Sequence, residues 1–339
     1  MPNAVSFTNA IHDATAQLLQ DPRTHVLGLG ASYPNGLDGT MSDLPSKFPS
    51  RVHDTSCSEA AVTGMAIGMA INGLRPIIHH GRIEFALFAM NAILTEASNW
   101  NFMFGGDYPC PLTVRVCIGR QWGNGPAHTR SMKGLFAAPG LRVVCPASPR
   151  MAKGLLLAAV DDSNPVIYLE HRWLYKTRQT VIEGPLPLDT AQIVKAGSDI
   201  TVVAIGDMLL EALKAQRELS GIVDMEIIDP VTIYPMDTAT IQASAQKTGN
   251  LLIVESATPA FSFANEIISQ VSCVNAMAVT CPDSPCPTAP AMTAAYYPTF
   301  RDIETTVREM LDLPVPVSVT APTFEDLNLP PKDNFDDFC

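Results

Sequence analysis

The sequence predicts an α/β protein of two domains, each a largely parallel sheet flanked by helices. Three observations carry that expectation. Short apolar runs of strand length, such as "THVLGLG", "RPIIHH", "PLTVRVCI" and "NPVIYLEH", alternate with longer segments of helical period. The chain, at 339 residues, is long enough to bury two cores. Near residue 176 the alternation breaks into the polar, Gly- and Pro-containing stretch "KTRQTVIEGPLPLDTAQIVKAGSD", after which a second alternating unit begins.

In chain order, "FTNAIHDATAQLLQD" has the spacing of an amphipathic helix, "THVLGLG" reads as a strand, 58–72 as a helix, "RPIIHH" as a strand and 84–99 as a helix. The strands "PLTVRVCI" and "GLRVVCPAS", a helix over 149–161 and the strand "NPVIYLEH" complete the first unit. In the second, the strands "ITVVAIGD", "DMEIIDP" and "GNLLIVES" alternate with helices over 208–219 and 237–248, and helices over 261–271 and 300–312 follow. The expected boundaries are a first domain over 1–180, a linker over 181–197, a second domain over 198–315 and an acidic, Pro-containing tail over 316–339 lying on the surface or on a partner.

A formal charge of −12, from 34 acidic against 22 basic residues, disfavours nucleic acid and anionic membranes as partners. No run of about 20 apolar residues suggests a membrane span. The N-terminal stretch has no targeting pattern. The eight cysteines form no C-x-x-C and no cluster with histidine, which points to a reduced, cytoplasmic setting.

The stretch "DTSCSEAAVTGMAIGMAINGLRP", residues 54–76, sets Glu59 at the mouth of a small-residue helix. One account is local: Ser58 caps the helix and Glu59 faces the positive end of its dipole. The other rests on Gly64 and Gly68, four apart on one face. Interior glycine costs a helix about 1 kcal/mol relative to alanine, so such a stripe implies close approach of another backbone. A carboxyl at the end of that packed helix would be desolvated and able to share a proton near neutrality.

A family resemblance bears on the choice. "RVHDTSCSEAAVTGMAIGMAINGLRPI" resembles the β-subunit signature of thiamine-diphosphate 2-oxoacid dehydrogenases, written around D-T-P-I-S-E and then G-x-A-x-G-x-A-x-x-G-x-R-P. "GPAHTRSMKGLFAAPGLRVVCPASPRMAKGLLLAAVDDSNPVIYLEHRWLY" resembles, in order, the family's G-x-x-H-S-Q, P-G-L-K-V-V-x-P, A-K-G-L-L, D-N-P-V and L-E-x-x-x-L-Y elements. "DMEIIDPVTIYPMDTATIQASAQKTGNLLIVES" is similar to the transketolase-type C-terminal pattern. The resemblance implies a pyrimidine-binding domain followed by a transketolase C-terminal-like domain. It implies that Glu59 hydrogen-bonds N1′ of the cofactor's aminopyrimidine and promotes proton removal from the thiazolium C2, with Phe85 packed against the pyrimidine and Cys57 beside the ring. It assigns His128 to reductive acyl transfer to a lipoyl group, or to positioning that group. It also implies a monovalent cation, potassium, on backbone carbonyls at Ala159, Val160, Asp162 and Asn164.

Without the resemblance these residues have plainer readings. Phe85 is a core residue at a helix start, Cys57 a buried thiol, His128 a residue opening a helix after a Gly/Pro-rich loop, and Asn164 part of a turn before Pro165. The G-D-G motif that holds magnesium and diphosphate in thiamine enzymes is absent. The resemblance therefore implies an α subunit that carries Mg2+ and the diphosphate end, an α2β2 assembly in which the glycine stripe meets another subunit, a lipoyl acyltransferase, and a small 2-oxoacid substrate.

Several positions depart from the family pattern. G-E-D-V is "GLGA" at 28–31, which removes an acidic residue proposed to link two active sites; Phe88 replaces glutamine, Asn91 aspartate, and Val231 arginine. E-F-M-T-F is "HHGRI" at 79–83. His79, His80 and Arg82 thus cluster near the expected site, either to receive an anionic substrate group or to make ion pairs with the α subunit. Three functions stay open: the dehydrogenase β subunit, the C-terminal half of a split transketolase or other ketol-transfer enzyme, and a degenerate subunit kept for assembly.

Overall fold

The computed structural model describes residues 4–33, 35–119, 124–272, 274–315 and 327–338. Strand β1 (Val5–Ser6) leads into helix α1 (Phe7–Leu18), whose first turn is closed by the Ser6 side chain accepting from the Asn9 N–H. Its apolar face, Phe7, Ala10, Ile11 and Ala14, repeats at helical spacing and is wholly buried. Then follow β2 (Thr24–Gly28), α2 (Leu44–Lys47), β3 (Val52–Asp54), α3 (Glu59–Ile71) and β4 (Arg75–His80). The expected helix over 84–99 is broken into α4 (Ile83–Ala86), a 3-10 turn (Leu87–Ala89), a π turn (Ala92–Ala97) and α5 (Ser98–Met103). β5 (Thr113–Ile118), β6 (Arg142–Val144), α6 (Pro149–Asp161), β7 (Val166–His171) and β8 (Arg178–Gln179) finish the first unit. α6 starts where Pro149 occupies the first turn and the Ser148 side chain accepts from the Met151 N–H.

The second unit contains β9 (Gln192–Lys195), β10 (Ile200–Ile205), α7 (Met208–Glu218), β11 (Met225–Asp229), β12 (Thr232–Tyr234), α8 (Thr238–Thr248), β13 (Asn250–Glu255), α9 (Phe263–Gln270), β14 (Asn275–Thr280), α10 (Pro290–Ala294) and α11 (Phe300–Met310). Its sheet runs β14-β13-β10-β11-β9, parallel except for β9. The first sheet runs β12-β6-β7-β5-β4-β2-β3, parallel except for β12. Strands paired on both sides and covered by helices read as apolar runs, which is why the sequence shows them plainly.

Three features differ from the sequence expectation. The stretch expected as linker supplies β9, which pairs with Ile227–Asp229 and so belongs to the second sheet. β12, from the second unit, closes the edge of the first sheet beside β6, so the two units share a strand border. The turn into β12 holds Val231 at φ 61°, a strained value for a β-branched residue, with its N–H donating to Asp229 Oδ1 at 2.9 Å.

The tail is the third difference. Residues 316–326 lie outside the described residues, but 327–338 return to the body of the chain. The Arg178 N–H donates to the Asp333 carbonyl at 2.9 Å, and the Thr180 N–H to Asp336 Oδ2 at 2.8 Å. Phe335 is 1% exposed among Leu209, Leu213 and Val307 in the second core, and Arg217 lies 4.8 Å over the Phe338 ring. Two aromatic rings in an acidic segment provide the apolar area that holds it down. Among the described residues no helix is long and apolar enough to cross a membrane.

Burial of Phe335 predicts that Phe335→Ala lowers the unfolding free energy by about 3 kcal/mol, in the range of large-to-small core substitutions, measured by urea denaturation. A solvated tail would give no measurable change.

Candidate active site

The chain leaves β2 for β3 on one side and returns to β4 on the other, so the order of the first sheet reverses between β2 and β4. In parallel sheets such a reversal leaves a crevice at the carboxyl ends, where ligands bind. The residues that follow the strands are all delivered to that end: Leu29–Ala31 after β2, Glu59 after β3, Arg82–Phe85 after β4, and His128 after β5. Both long departures from the family pattern, "GLGA" and "HHGRI", therefore flank the same crevice. Gly28 lies opposite His79 in the register, and a Cβ there would come within 3.2 Å of the His79 carbonyl oxygen. Asp54 ties down the turn after β2, accepting from the Gly30 N–H at 2.6 Å and from the Ser32 hydroxyl at 3.2 Å.

Glu59 is the first residue of α3 and is half-buried. The Ser58 side chain makes no capping hydrogen bond, whereas Glu59 does stand in the first turn, at the positive end of the helix dipole. Cys57 is exposed rather than a buried structural thiol. α3 turns Val62, Thr63, Ala66, Ile67 and Ala70 into the core. Ala60, Ala61, Gly64 and Met65 face outward, and a Cβ added at Gly64 or Gly68 would meet nothing within 4 Å. The glycine stripe therefore makes no close contact among the described residues. It forms a smooth outer face running away from Glu59.

Phe85 is 37% exposed, not a core residue, and its ring centroid lies 5.4 Å from that of His128 at an angle of 59°. His128 closes the short 3-10 turn Gly125–Ala127 with φ −144° and ψ 22°, which is not helical, and it opens no helix. Its Nδ1 is buried with no hydrogen-bond partner among the described residues. The Arg82 guanidinium donates to the His128 carbonyl at 2.6 Å, and Glu84 Oε1 accepts from the Arg130 N–H at 3.1 Å.

His79 and His80 do not form the outward cationic patch expected of them. Both sit in the β4 interior at 4% exposure. Burial, with the charge of His79 adding to it, pushes the His80 imidazole down to about 4, and its Nε2 meets Thr63 Oγ1 at 2.9 Å. His79 is likewise lowered by burial, and its Nε2 lies 3.5 Å from Glu170 Oε1. Neither is available as a charge for a substrate or a subunit ion pair. The strand positions explain this: neighbours on both sides and helices on both faces exclude water.

Glu170 belongs to a buried network that sequence reading missed. Arg115 Nε and Nη2 donate to its two oxygens at 3.1 and 3.0 Å, and Nη2 also reaches Thr40 Oγ1 at 3.1 Å. Burial pushes the Glu170 carboxyl up, but the Arg115 guanidinium and the His79 contact outweigh it and hold it at about 2. His79, Cys117 and Glu170 place their ligand atoms within 4.8 Å of one another. Burial raises the Cys117 thiol to about 12, and Arg115 already neutralises the carboxylate, so the donor set suits an ion pair and not a metal. A charge inside each apolar strand, "TVRVCI" and "VIYLEH", was the available signal, since a fully buried charge requires a partner.

A second missed network joins the two units under the His128 loop. Lys133 meets Glu255 at 3.0 Å and Ser131 Oγ at 2.6 Å, while Asp207 accepts from the Ser256 hydroxyl at 2.5 Å and lies 3.3 Å from His171 Nε2. Beside it a cavity of about 650 Å³ between the units is lined by Thr129, Ser131, Leu135, Phe261, Cys286 and Tyr297.

The residues expected to hold potassium are otherwise engaged. The Val160 carbonyl accepts from the Arg75 guanidinium and the Ala159 carbonyl from Thr113 Oγ1 at 3.3 Å. Asp162 accepts from the Asn164 N–H at 2.9 Å and from Arg142 Nε at 3.1 Å, and Asn101 donates to Asn164 Oδ1 at 2.9 Å. Arg75 and Arg142 place positive charge beside these groups, and the bonds of Asp162 and of Asn164 Oδ1 run through side chains rather than through the backbone carbonyls.

Two outcomes follow. Arg115→Met strands the Glu170 charge and costs about 3–5 kcal/mol in chemical denaturation, whereas Arg115→Met with Glu170→Leu recovers most of it. His80 falls from 6.5 to about 4 on folding, so the folded chain holds it neutral. Its stabilisation is complete above pH 6.5 and is lost as pH falls toward 4, on the order of 3 kcal/mol in all. His80→Gln should flatten the decline in melting temperature between pH 7 and 4.5 without abolishing it, because His79 shifts in the same direction.

Residues 3–178 match the transketolase pyrimidine-binding domain and residues 189–303 the transketolase C-terminal domain. The chain is 33% identical over 334 residues to the acetoin:2,6-dichlorophenolindophenol oxidoreductase subunit beta of Cupriavidus necator, covering 92% of this chain and 98% of that one. It is 31% identical over 323 residues to the pyruvate dehydrogenase E1 component subunit beta of Bacillus subtilis, covering 91% and 99%. Among solved structures, a split gene transketolase described as an inactive beta4 tetramer superimposes with a TM-score of 0.75 at 20% identity, over 92% of this chain and 99% of that one, a likeness of fold. With both domains and the near full-length relatives in agreement, the chain belongs to the thiamine-diphosphate-dependent family of 2-oxoacid dehydrogenase β subunits.

Proposed function

We propose that this chain, with an α subunit in an α2β2 assembly, decarboxylates a small 2-oxoacid on thiamine diphosphate and passes the acyl group to a lipoyl-bearing acyltransferase. The observation that carries the reading is the gathering of Glu59, Phe85 and His128 at one sheet reversal. The residues fit the pyrimidine end of the cofactor: a half-buried carboxylate, a partly exposed aromatic face, and an imidazole whose Nδ1 has no partner among the described residues. They do not fit the diphosphate end, since the sequence lacks G-D-G, and Mg2+ is assigned to the α subunit. Met65 at 51%, Phe88 at 73% and Phe102 at 86% exposure leave apolar area for that subunit to cover.

Thiamine diphosphate, when bound, supplies the electron sink that side chains lack. The rest falls to this chain. Glu59 exchanges a proton at the pyrimidine nitrogen, and its position at a helix start, with an apolar face beside it, lets an approaching subunit exclude water from that exchange. Phe85 packs the ring. His128, held against Phe85, donates or positions a proton at the dithiolane sulfur of the acceptor.

The test uses the complex co-expressed with its α partner. Glu59→Gln should lower 2-oxoacid-dependent dye reduction by about 10²–10⁴-fold with assembly intact. His128→Ala should preserve dye reduction and lose lipoyl acylation. Lipoyl inactivity of the unmodified complex together with ketol transfer from phosphorylated sugars would overturn the reading, and unchanged activity of Glu59→Gln would show a non-catalytic subunit.

A further inference from the structure

Three contacts bind the segment after β4 to the turn that carries His128. Arg82 donates to the His128 carbonyl at 2.6 Å, Glu84 accepts from the Arg130 N–H at 3.1 Å, and Phe85 lies against the imidazole with ring centroids 5.4 Å apart. The Thr129 hydroxyl and Arg130 Nε close the same turn internally, onto the Gly125 and Pro126 carbonyls at 2.6 and 3.0 Å. The imidazole has no comparable support, because its Nδ1 finds no hydrogen-bond partner among the described residues. The direction of the ring is therefore set by its own backbone and by the face of Phe85. That backbone is held from outside the turn by a guanidinium that is only 9% exposed.

Arg82 lies in "HHGRI", where the resembling family pattern E-F-M-T-F has no arginine. The sequence expectation gave it a substrate anion or a subunit ion pair. The contact on the page is of another kind: the buried guanidinium donates to the neutral main-chain carbonyl of the His128 turn. The planar guanidinium directs its Nη1–H at that carbonyl in a fixed orientation, which the rotating point charge of a lysine would not.

We propose that Arg82 is a positioning residue for His128. Its guanidinium fixes the main chain of the His128 turn, so that the imidazole keeps one position against Phe85 and the acceptor-transfer group stays in register with the pyrimidine site. The proposal rests on His128 serving the transfer to the lipoyl group. A displacement of about 1 Å at such a group costs on the order of 10²-fold in an orientation-dependent step.

In the assembled α2β2 complex, Arg82→Ala should lower kcat for lipoyl acylation by about 10–100-fold, while KM for the 2-oxoacid and the dye-linked rate change less than about twofold. Arg82→Lys should recover part of the loss. Diethylpyrocarbonate modification of His128, followed by peptide mass spectrometry, should be faster in Arg82→Ala, and deuterium uptake over 124–130 should rise. Glu84→Ala, at a half-exposed position on the same turn, should move both readouts the same way by a smaller amount and serves if Arg82→Ala does not assemble. Equal loss of dye-linked and lipoyl rates with a fallen melting temperature would make Arg82 a fold residue and overturn the proposal. Unchanged modification and exchange at His128 would overturn it as well. Should His128→Ala leave lipoyl acylation intact, the role of His128 falls instead, and faster modification and exchange in Arg82→Ala would still support the clamp itself.

Discussion

The candidate site depends on one topological constraint, the reversal of strand order between β2 and β4. A parallel sheet delivers every strand-to-helix connection to its carboxyl end, and a reversal keeps two of those connections apart so that a crevice opens between them. Residues separated by up to a hundred positions in sequence, from Leu29 to His128, meet there without any local reason to do so. Gly28 lets β2 and β4 run close at the base, because a Cβ there would meet the His79 carbonyl oxygen and Cβ at 3.2 and 3.3 Å.

Buried charge pairs make that arrangement rigid. Arg115, on β5, is wholly buried and grips Glu170 on β7 and Thr40 ahead of β3, so three parts of the first unit share one guanidinium. Lys133 and Glu255 do the same across the border between the units. Such pairs offer little net stability over apolar residues of the same size, but once formed they cannot be broken singly without stranding a buried charge. The strand β12 and the returning segment 327–338 fasten the two units further, so the border is defined by backbone pairing as well as by charge.

The outward face of α3 has a different character. Helix interiors avoid glycine, yet Gly64 and Gly68 stand in a row where no other described residue lies within 4 Å of an added Cβ. Exposed Met65 and half-buried Glu59 belong to the same helix.

The sequence by itself determined the α/β class, eight of the fourteen strands among the described residues and the long helices, and the candidacy of Glu59, Phe85 and His128, because apolar period and contiguous motifs are local properties of a chain; it passed over the short β1, β3, β8 and β12 and the edge strands β9 and β14. It misjudged features fixed by distant partners. "HHGRI" reads as a cationic cluster in one dimension, but strand pairing on both sides buries His79 and His80 and leaves them neutral. The acidic tail reads as solvated, but Phe335 finds a pocket in the second core. The linker reads as irregular, but β11 offers β9 an edge. Tertiary structure alone decided which charges met a partner, and that decided their ionisation, since the cost of burying a charge depends on groups that the sequence lists far apart.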